Sequence, residues 1–359
     1  MTRFNIVKRD DLPKKREWFI RTLAILFSIV SAGLVIWILG FNPMEVFPGM
    51  VKGALGTEIR LTQTILKAIP LIVTSLGILV AFKMNFWNIG GEGQILMGAL
   101  AAAYVALNIE GLPRLVTLLL MMVAAMIAGG IWAFIPAFFK ARMGVNETIF
   151  TLMLNYIAIK FVTYLQYGPW KSPESQGFPK VATFPDNAIL PKLFGIHIGW
   201  IIALVLVVLV YIFINHTKKG FEIRVVGESK ETARYAGMNI SSVIIIAMLI
   251  SGGLCGLTGM IQASAVEKTL TASLSGGYGF TAIITAWLAR LNAIAVLFVC
   301  FAFAILLQGG SYIQVSMQIP AAVADMMQGI ILFFVLGSEF FIQYKISAVG
   351  RNTTQKEVA

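Results

Sequence analysis

Uncharged runs fix the class of this chain. Thr22 to Leu39, Leu115 to Phe139, Leu193 to Thr217, Ala236 to Val266, Thr269 to Ala289 and Leu291 to Ala324 carry no acid, lysine or arginine. A bilayer crossing uses about 20 apolar residues, so this is an all-α polytopic membrane protein whose longest runs must hold more than one membrane-associated element. Composition agrees, with 58% of 359 residues hydrophobic and only 13% charged. Less pure segments at 61–82, 86–108 and 147–167 add three helices. Dividing 291–337 at Gly309-Gly310 and before Pro320 brings the expectation to about ten, or eight to nine if 269–289 is partly re-entrant. The run from Thr22 is longer than a secretory h-region and is followed by Gly40-Phe41-Asn42-Pro43 without a small-x-small cleavage site, so it reads as the first membrane helix.

Basic residues set the expected orientation, because lysine and arginine in short loops stay on the cytoplasmic side. With the N-terminus inside, the inner segments carry 19 of the 28 basic residues and the outer segments 7, leaving Lys67 and Lys160 within helices. The net charge of +11 is thus a topology signal and not a nucleic-acid footprint. The expected layout is a basic cytoplasmic segment at 1–21, a transmembrane domain at 22–337, and a cytoplasmic tail at 338–359. An external loop spans 168–197. Its prolines, Pro169, Pro173, Pro179, Pro185 and Pro191, exclude a long helix and suggest an ordered cap or a solvated linker. A cytoplasmic loop spans 216–240, where good helix formers run from Glu228 to Ala236 and Gly237 supplies a C-cap. So short a helix is marginal alone in water, so it must pack on its own domain or dock on a partner.

The most pointed polar feature is Phe86-Trp87-Asn88-Ile89-Gly90-Gly91-Glu92-Gly93-Gln94, which places a carboxylate, amides and glycines at the mouth of an apolar run. A charge in hydrocarbon costs about 2.5 to 3.5 kcal/mol or more, so Glu92 should face protein or a water-filled path. Gly276-Gly277-Tyr278-Gly279 repeats the Gly-Gly-x-Gly pattern, and in the ten-helix layout it opens a helix running the opposite way. Inverted repeats with interrupted helices at matched positions are a common transporter plan.

Other chemistries find little support. Cys255 and Cys300 lie in apolar runs as free thiols. His197 and His216 flank one helix at opposite ends, and neither a catalytic triad nor a metal-ligand spacing occurs. No G-x-x-x-x-G-K-[ST] phosphate loop is present, so the chain itself holds no nucleotide. An ion-coupled secondary transporter of a small polar solute remains the rival on physics alone, with Glu92, Glu147 and Asp325 as carboxylates near or within apolar segments.

Four elements carry a family resemblance: residues 86–94, Gly144-Val145-Asn146-Glu147-Thr148-Ile149 with Leu152 to Ala158, Arg224-Val225-Val226-Gly227-Glu228 with Ala233 to Asn239, and Gly276 to Phe280. With them the chain resembles the membrane permease subunits of ABC transporters in the ribose and branched-chain amino-acid permease superfamily, nucleoside (simple sugar) importer type. It departs from the family pattern at Trp87, at Ser229-Lys230 and Thr232, and at Ala289 to Ala293.

The resemblance implies a permease that moves nucleosides or related ribose-containing solutes inward and is not itself an enzyme. ATP and Mg would be bound by separate cytosolic ATPase subunits, with Glu228, Glu231, Ala233, Arg234, Tyr235, Ala236 and Gly237 forming the coupling helix. It further implies a second permease chain, related but different or an identical copy, and an extracytoplasmic substrate-binding lipoprotein. The location would be a bacterial plasma membrane with both termini cytoplasmic. Rings and amides suit a flat base and a ribose, which makes Phe86, Trp87, Asn88, Glu92, Gln94, Asn146, Asn155, Tyr156 and Gln308 candidates for the substrate path.

Overall fold

A computed structural model describes residues 3–8, 13–173, 175, 177 and 179–349. The chain forms two compact units, one of residues 1–56 with 306–359 and the other of residues 57–305.

The first unit begins with strand β1 (Arg3–Lys8), helix α1 (Lys14–Ile38) and helix α2 (Pro43–Leu55). Asn42 starts α2: its side-chain oxygen accepts the Met44 amide at 3.1 Å, and Pro43 occupies the first helical position, where a missing N–H costs nothing. The second unit holds α3 (Glu58–Phe82), α4 (Gly91–Asn108), α5 (Arg114–Met143) and α6 (Glu147–Tyr167), then α7 (Gly199–His216), α8 (Lys218–Glu228), α9 (Lys230–Tyr235), α10 (Ile240–Ile261) and α11 (Tyr278–Leu288). Helix α12 (Ala293–Ser316) passes from the second unit to the first, which α13 (Ala321–Gln343) and strand β4 (Tyr344–Val349) complete.

In the first unit β1 and β4 pair antiparallel from Arg3 with Val349 to Lys8 with Tyr344. Helices α1 and α13 lie side by side, with Phe27 stacked on Phe334 at 6.5 Å. Ile36, Val46, Met50, Ile313, Ile319, Val323, Ala324 and Met327 form the core of this unit. Sequence patterning left both strands out.

In the second unit α3, α4 and α10 are the most buried helices, and glycines let the backbones of α4, α5 and α10 touch. A Cβ on Gly98 would overlap the backbone of Gly256, and one on Gly256 would overlap the carbonyl oxygen of Ala125. Gly252 and Gly256 stand four apart, the spacing that lets membrane helices approach closely without a hydrophobic driving force. Polar pairs tie the rest. Thr74 donates to Thr258 at 3.0 Å, Ser75 and Thr285 share a hydrogen bond at 2.6 Å, and Cys300 donates to Ser75 at 3.3 Å.

Among the described residues eight helices are long and apolar enough to cross a membrane. The ten expected helices also include α4 and α11. Helix α11 has 11 residues, so at 1.5 Å per residue it spans about 16 Å, roughly half a hydrocarbon core. The division placed at Gly309-Gly310 is wrong. Both glycines lie inside α12, and the chain turns at Met317 to Pro320, the region before Pro320 where a division was also expected. Gly309 is there for contact, since a Cβ would press within 2.7 Å of the Met50 carbonyl oxygen.

The segment at 168–197 is an ordered cap in its described residues. It holds a 3-10 turn at Asp186–Ala188 and the short strands β2 (Lys192–Leu193) and β3 (Ile196–His197). It is bonded to the π-helical turn Gln262–Glu267 that ends α10. Ser264 donates to the Ala188 carbonyl at 2.6 Å and accepts the Leu190 amide at 3.0 Å, and the Phe184 amide donates to the Lys268 carbonyl at 2.9 Å. The segment at 216–240 departs from expectation: it carries two helices, α8 and α9. Ser229 divides them, ending α8 and capping α9 through the Thr232 amide at 3.2 Å, so the short helix covers 230–235 and not 228–236.

Candidate functional site

Helix α3 ends at Phe82 and α4 begins at Gly91, and the eight residues between them are not helical although half of them are buried. Backbone groups so placed need partners, because unpaired ones are expensive away from water. Asn88 supplies one and ties in two neighbouring side chains. Its Oδ1 accepts the Gly90 amide at 3.0 Å and the Gln94 amide group at 3.0 Å, while its Nδ2 donates to Ser251 on α10 at 3.0 Å and to Gln94 at 3.1 Å. Asn155 on α6 supplies two more, accepting the Gly93 amide at 2.8 Å and donating to the Ile89 carbonyl at 2.8 Å. Thr151 accepts the Ile89 amide at 3.2 Å. These side chains replace the helical ladder that the chain gives up here.

Glu92 lies in the first turn of α4 and is 3% exposed. Its carboxylate accepts the amides of Gly279 at 2.6 Å and Phe280 at 3.3 Å, the first turn of α11, and Ser275 also hydrogen-bonds to it. The two Gly-Gly-x-Gly elements therefore meet. A Cβ on Gly279 would overlap the Glu92 amide nitrogen, and one on Gly91 would come within 3.2 Å of the Gly279 Cα. Only glycine at 279 allows this approach, and glycine at 91 keeps the contact unstrained. From the first turn of α4 the carboxylate thus serves the N-terminus of α11, which carries about half a positive elementary charge.

Beside this junction three rings touch. Phe82 and Trp87 lie 5.4 Å apart, Phe82 and Trp287 5.8 Å, and Trp87 and Trp287 5.6 Å between centroids. Trp87 is 44% exposed, so the cluster shows a ring face outside the packed interior. Phe82 and Trp287 were not singled out from the sequence. Trp287 sits seven residues after Phe280 on α11, a helical spacing that repeats the same face and was a legible signal.

The residues expected to line a path divide accordingly. Phe86, Asn88, Glu92, Gln94 and Asn155 are buried together at the helix break, and all but Phe86 spend their polar groups within the chain. Trp87 is at its edge. Asn146 is elsewhere, capping α6 through the Thr148 and Ile149 amides at 3.0 and 3.3 Å. Tyr156 is exposed on α6, and Gln308 belongs to the first unit. As for the carboxylates weighed for ion coupling, Glu147 pairs with Lys140 at 2.6 Å and Asp325 is exposed.

Of the residues expected on the short helix, Glu231, Arg234 and Tyr235 are exposed on α9, Tyr235 to 95%; Glu228 is the exposed last residue of α8, and Ala236 and Gly237 follow α9, also exposed. Ala233 is fully buried and faces its own chain. Gly237, at φ 72°, ends the helix as expected, with the Gly237 and Met238 amides donating to the Arg234 and Ala233 carbonyls at 3.0 Å each. Among the described residues no cluster of histidine, cysteine or acids could hold a metal ion.

The family described as the permease component of branched-chain amino acid transport systems matches residues 60–336. Over 90% of its length this chain is 35% identical to the glucose ABC transporter permease protein of Haloferax volcanii, of which it covers 88%. It is 30% identical to the guanosine ABC transporter permease protein of Bacillus subtilis, with 92% of this chain and 97% of that one aligned. The nucleoside ABC transporter permease protein of Lactococcus lactis is 29% identical, with 90% and 91% aligned.

Proposed function

We infer the detailed role of this chain from the family to which it belongs, the permease components of branched-chain amino acid transport systems, matched over residues 60–336. It is the membrane-spanning permease subunit of an ABC importer, and ATP hydrolysis lies on separate subunits. The family works with ATPase subunits, a substrate-binding protein and a second permease. The finer assignment is our proposal: the cargo is a nucleoside or a related sugar, α9 docks on the ATPase subunits where ATP and Mg are bound, and both termini and residues 216–240 are cytoplasmic.

One observation supports the coupling assignment above the rest. Helix α9 has six residues, is capped at both ends, is anchored by the buried Ala233, and projects Tyr235 almost fully into the surroundings. A six-residue helix has no independent stability, and a bare tyrosine at its end is the kind of ring that interfaces favour. The orientation draws support from the pairing of β1 with β4, which holds residues 3–8 and 344–349 on one side and so calls for an even number of crossings between them. The cargo class draws support from the relatives, whose names cite guanosine, nucleosides and glucose. The ring face of Trp87 suits either a base or the apolar face of a sugar.

Ion coupling is not favoured. Each of its three candidate carboxylates is engaged with amides, paired with lysine, or exposed. Co-expression with the ATPase subunits tests the docking assignment: the wild type should co-purify with them and the Tyr235→Asp variant should not. Uptake of labelled guanosine competed by unlabelled ribose and glucose tests the cargo class, and failure of all three to enter or compete would refute it.

A further inference from the structure

Gly227 stands in the last turn of α8, where a Cβ would overlap the carbonyl oxygen of Lys83 and approach the Met84 Cα within 3.1 Å. Backbone thus rests on backbone, with no compliant side chain between. Across the same contact Asn85 donates its side-chain amide to the Gly227 carbonyl. Asn85 holds a left-handed φ of 55°, a conformation that asparagine accepts more readily than most residues. The turn around it is closed by the Met84, Asn85 and Phe86 amides, which donate to Ala81, Phe82 and Ala81 at 3.2, 3.0 and 3.2 Å. Lys83 is squeezed in the same place. Burial first and the Arg224 charge second push its ammonium below the usual lysine range, while Glu228 pulls it back.

This contact has α9 on one side and the helix break on the other. Ser229, two residues after Gly227, caps α9, and Asn88, three residues after Asn85, begins the hydrogen-bonded set that leads to Glu92 and α11. At its other end α8 is fixed as firmly, since a Cβ on Gly220 would overlap the Phe213 carbonyl of α7. Close-packed backbones of this kind shift as units and do not absorb displacement.

We propose that the joint of Asn85 with Gly227 is the positioning element through which a displacement of α9 reaches the α3–α4 break, and with it Glu92 and α11. The inference rests on the reading of α9 as the ATPase-docking helix. A shift of α8 moves the Lys83–Phe86 turn directly, and the Asn85 hydrogen bond keeps the turn attached when α8 withdraws. The backbone contact transmits a push and the hydrogen bond a pull.

The experiment uses the full transporter with its ATPase subunits and substrate-binding protein in proteoliposomes, and reads labelled guanosine or glucose imported per ATP hydrolysed. Asn85→Gly keeps the left-handed turn and deletes only the hydrogen bond, so folding is preserved. It should hydrolyse ATP but import about fivefold less per ATP, or lower still, the scale of a typical coupling between sites. Gly227→Ala should show the same defect, and the double variant should be little worse than either single one, because both act at one joint. Asn85→Gly at the wild-type ratio overturns the joint while leaving docking intact, as do two defects that simply multiply. If Gly227→Ala does not accumulate, Asn85→Gly decides alone. A Tyr235→Asp complex that still assembles overturns the docking reading, and this inference with it.

Discussion

Glu92 accepts the backbone amide of Gly279 at 2.6 Å across 187 positions of sequence, and this bond joins the first turn of α4 to the first turn of α11. Both are helices that begin inside the fold, where their free amides need an acceptor. Glu92 answers for α11, while Asn88 and Asn155 accept the Gly90 and Gly93 amides at the start of α4.

That role separates shape from charge. Glu92→Gln keeps an acceptor for Gly279 and should retain most uptake. Glu92→Leu leaves the Gly279 and Phe280 amides unpaired, so it should lose about 1 to 3 kcal/mol of stability and most uptake. Thermal melting in detergent, paired with uptake in cells, checks both outcomes.

The glycines of α10 should differ sharply in tolerance. Gly256→Leu drives a side chain into the Ala125 carbonyl and the Gly129 Cα of α5, and should abolish accumulation of folded protein. Gly253 meets nothing nearer than 3.4 Å, so Gly253→Ala should fold and transport normally. Membrane yield after expression, followed by size-exclusion profile, distinguishes the two.

On α9 the two faces should respond differently. Ala233→Asp buries a charge against the chain itself and should lower stability before any partner is added. Tyr235→Asp alters only an exposed ring. It should leave the melting temperature unchanged and remove ATPase binding. A large fall in melting temperature for Tyr235→Asp would contradict the placement of that ring.

The 168–197 cap should loosen in mild acid. Burial first, and the Lys192 charge second, hold His197 down at about 4 against an ordinary 6.5, and its Nδ1 accepts the Gly199 amide at 3.2 Å. The unfolded state therefore binds the proton first. Stability from this group is complete above pH 6.5 and is lost as pH falls toward 4. Hydrogen exchange at the Gly199 amide should accelerate through that window in the wild type. His197→Asn keeps an acceptor without titrating there, and should remove the pH dependence.

How much of this was legible in the sequence follows from range. Uncharged runs gave the membrane class because hydrocarbon thickness is a fixed ruler, and Gly-Gly-x-Gly at 90 and 276 marked the two interrupted helices by a local rule. That the two marks touch, through Glu92 and Gly279, is a long-range fact that no periodicity encodes. Gly309-Gly310 misled for the opposite reason: glycine is read locally as a break, yet here it permits contact with Met50 inside a continuous helix. Asn88, Gln94 and Asn155 looked like path-lining amides because polarity in an apolar setting suggests function. In three dimensions Asn88 and Asn155 hydrogen-bond the broken backbone and Gln94 pairs with Asn88, a structural role that the local sequence does not announce. Asn146 was a capping residue all along, and its place before Glu147 and an apolar run already said so.

A permease driven by ATP on separate subunits and one driven by an ion gradient part company in a reconstituted system. The chain is reconstituted into sealed proteoliposomes with its ATPase subunits, second permease and substrate-binding protein, and labelled guanosine or glucose uptake is followed with ATP supplied and ion gradients collapsed by ionophores. We expect accumulation that requires ATP, stops when the ATPase subunits are omitted, and is indifferent to the ionophores. Accumulation driven by a proton or sodium gradient without ATP, and abolished by Glu92→Gln, would contradict the account.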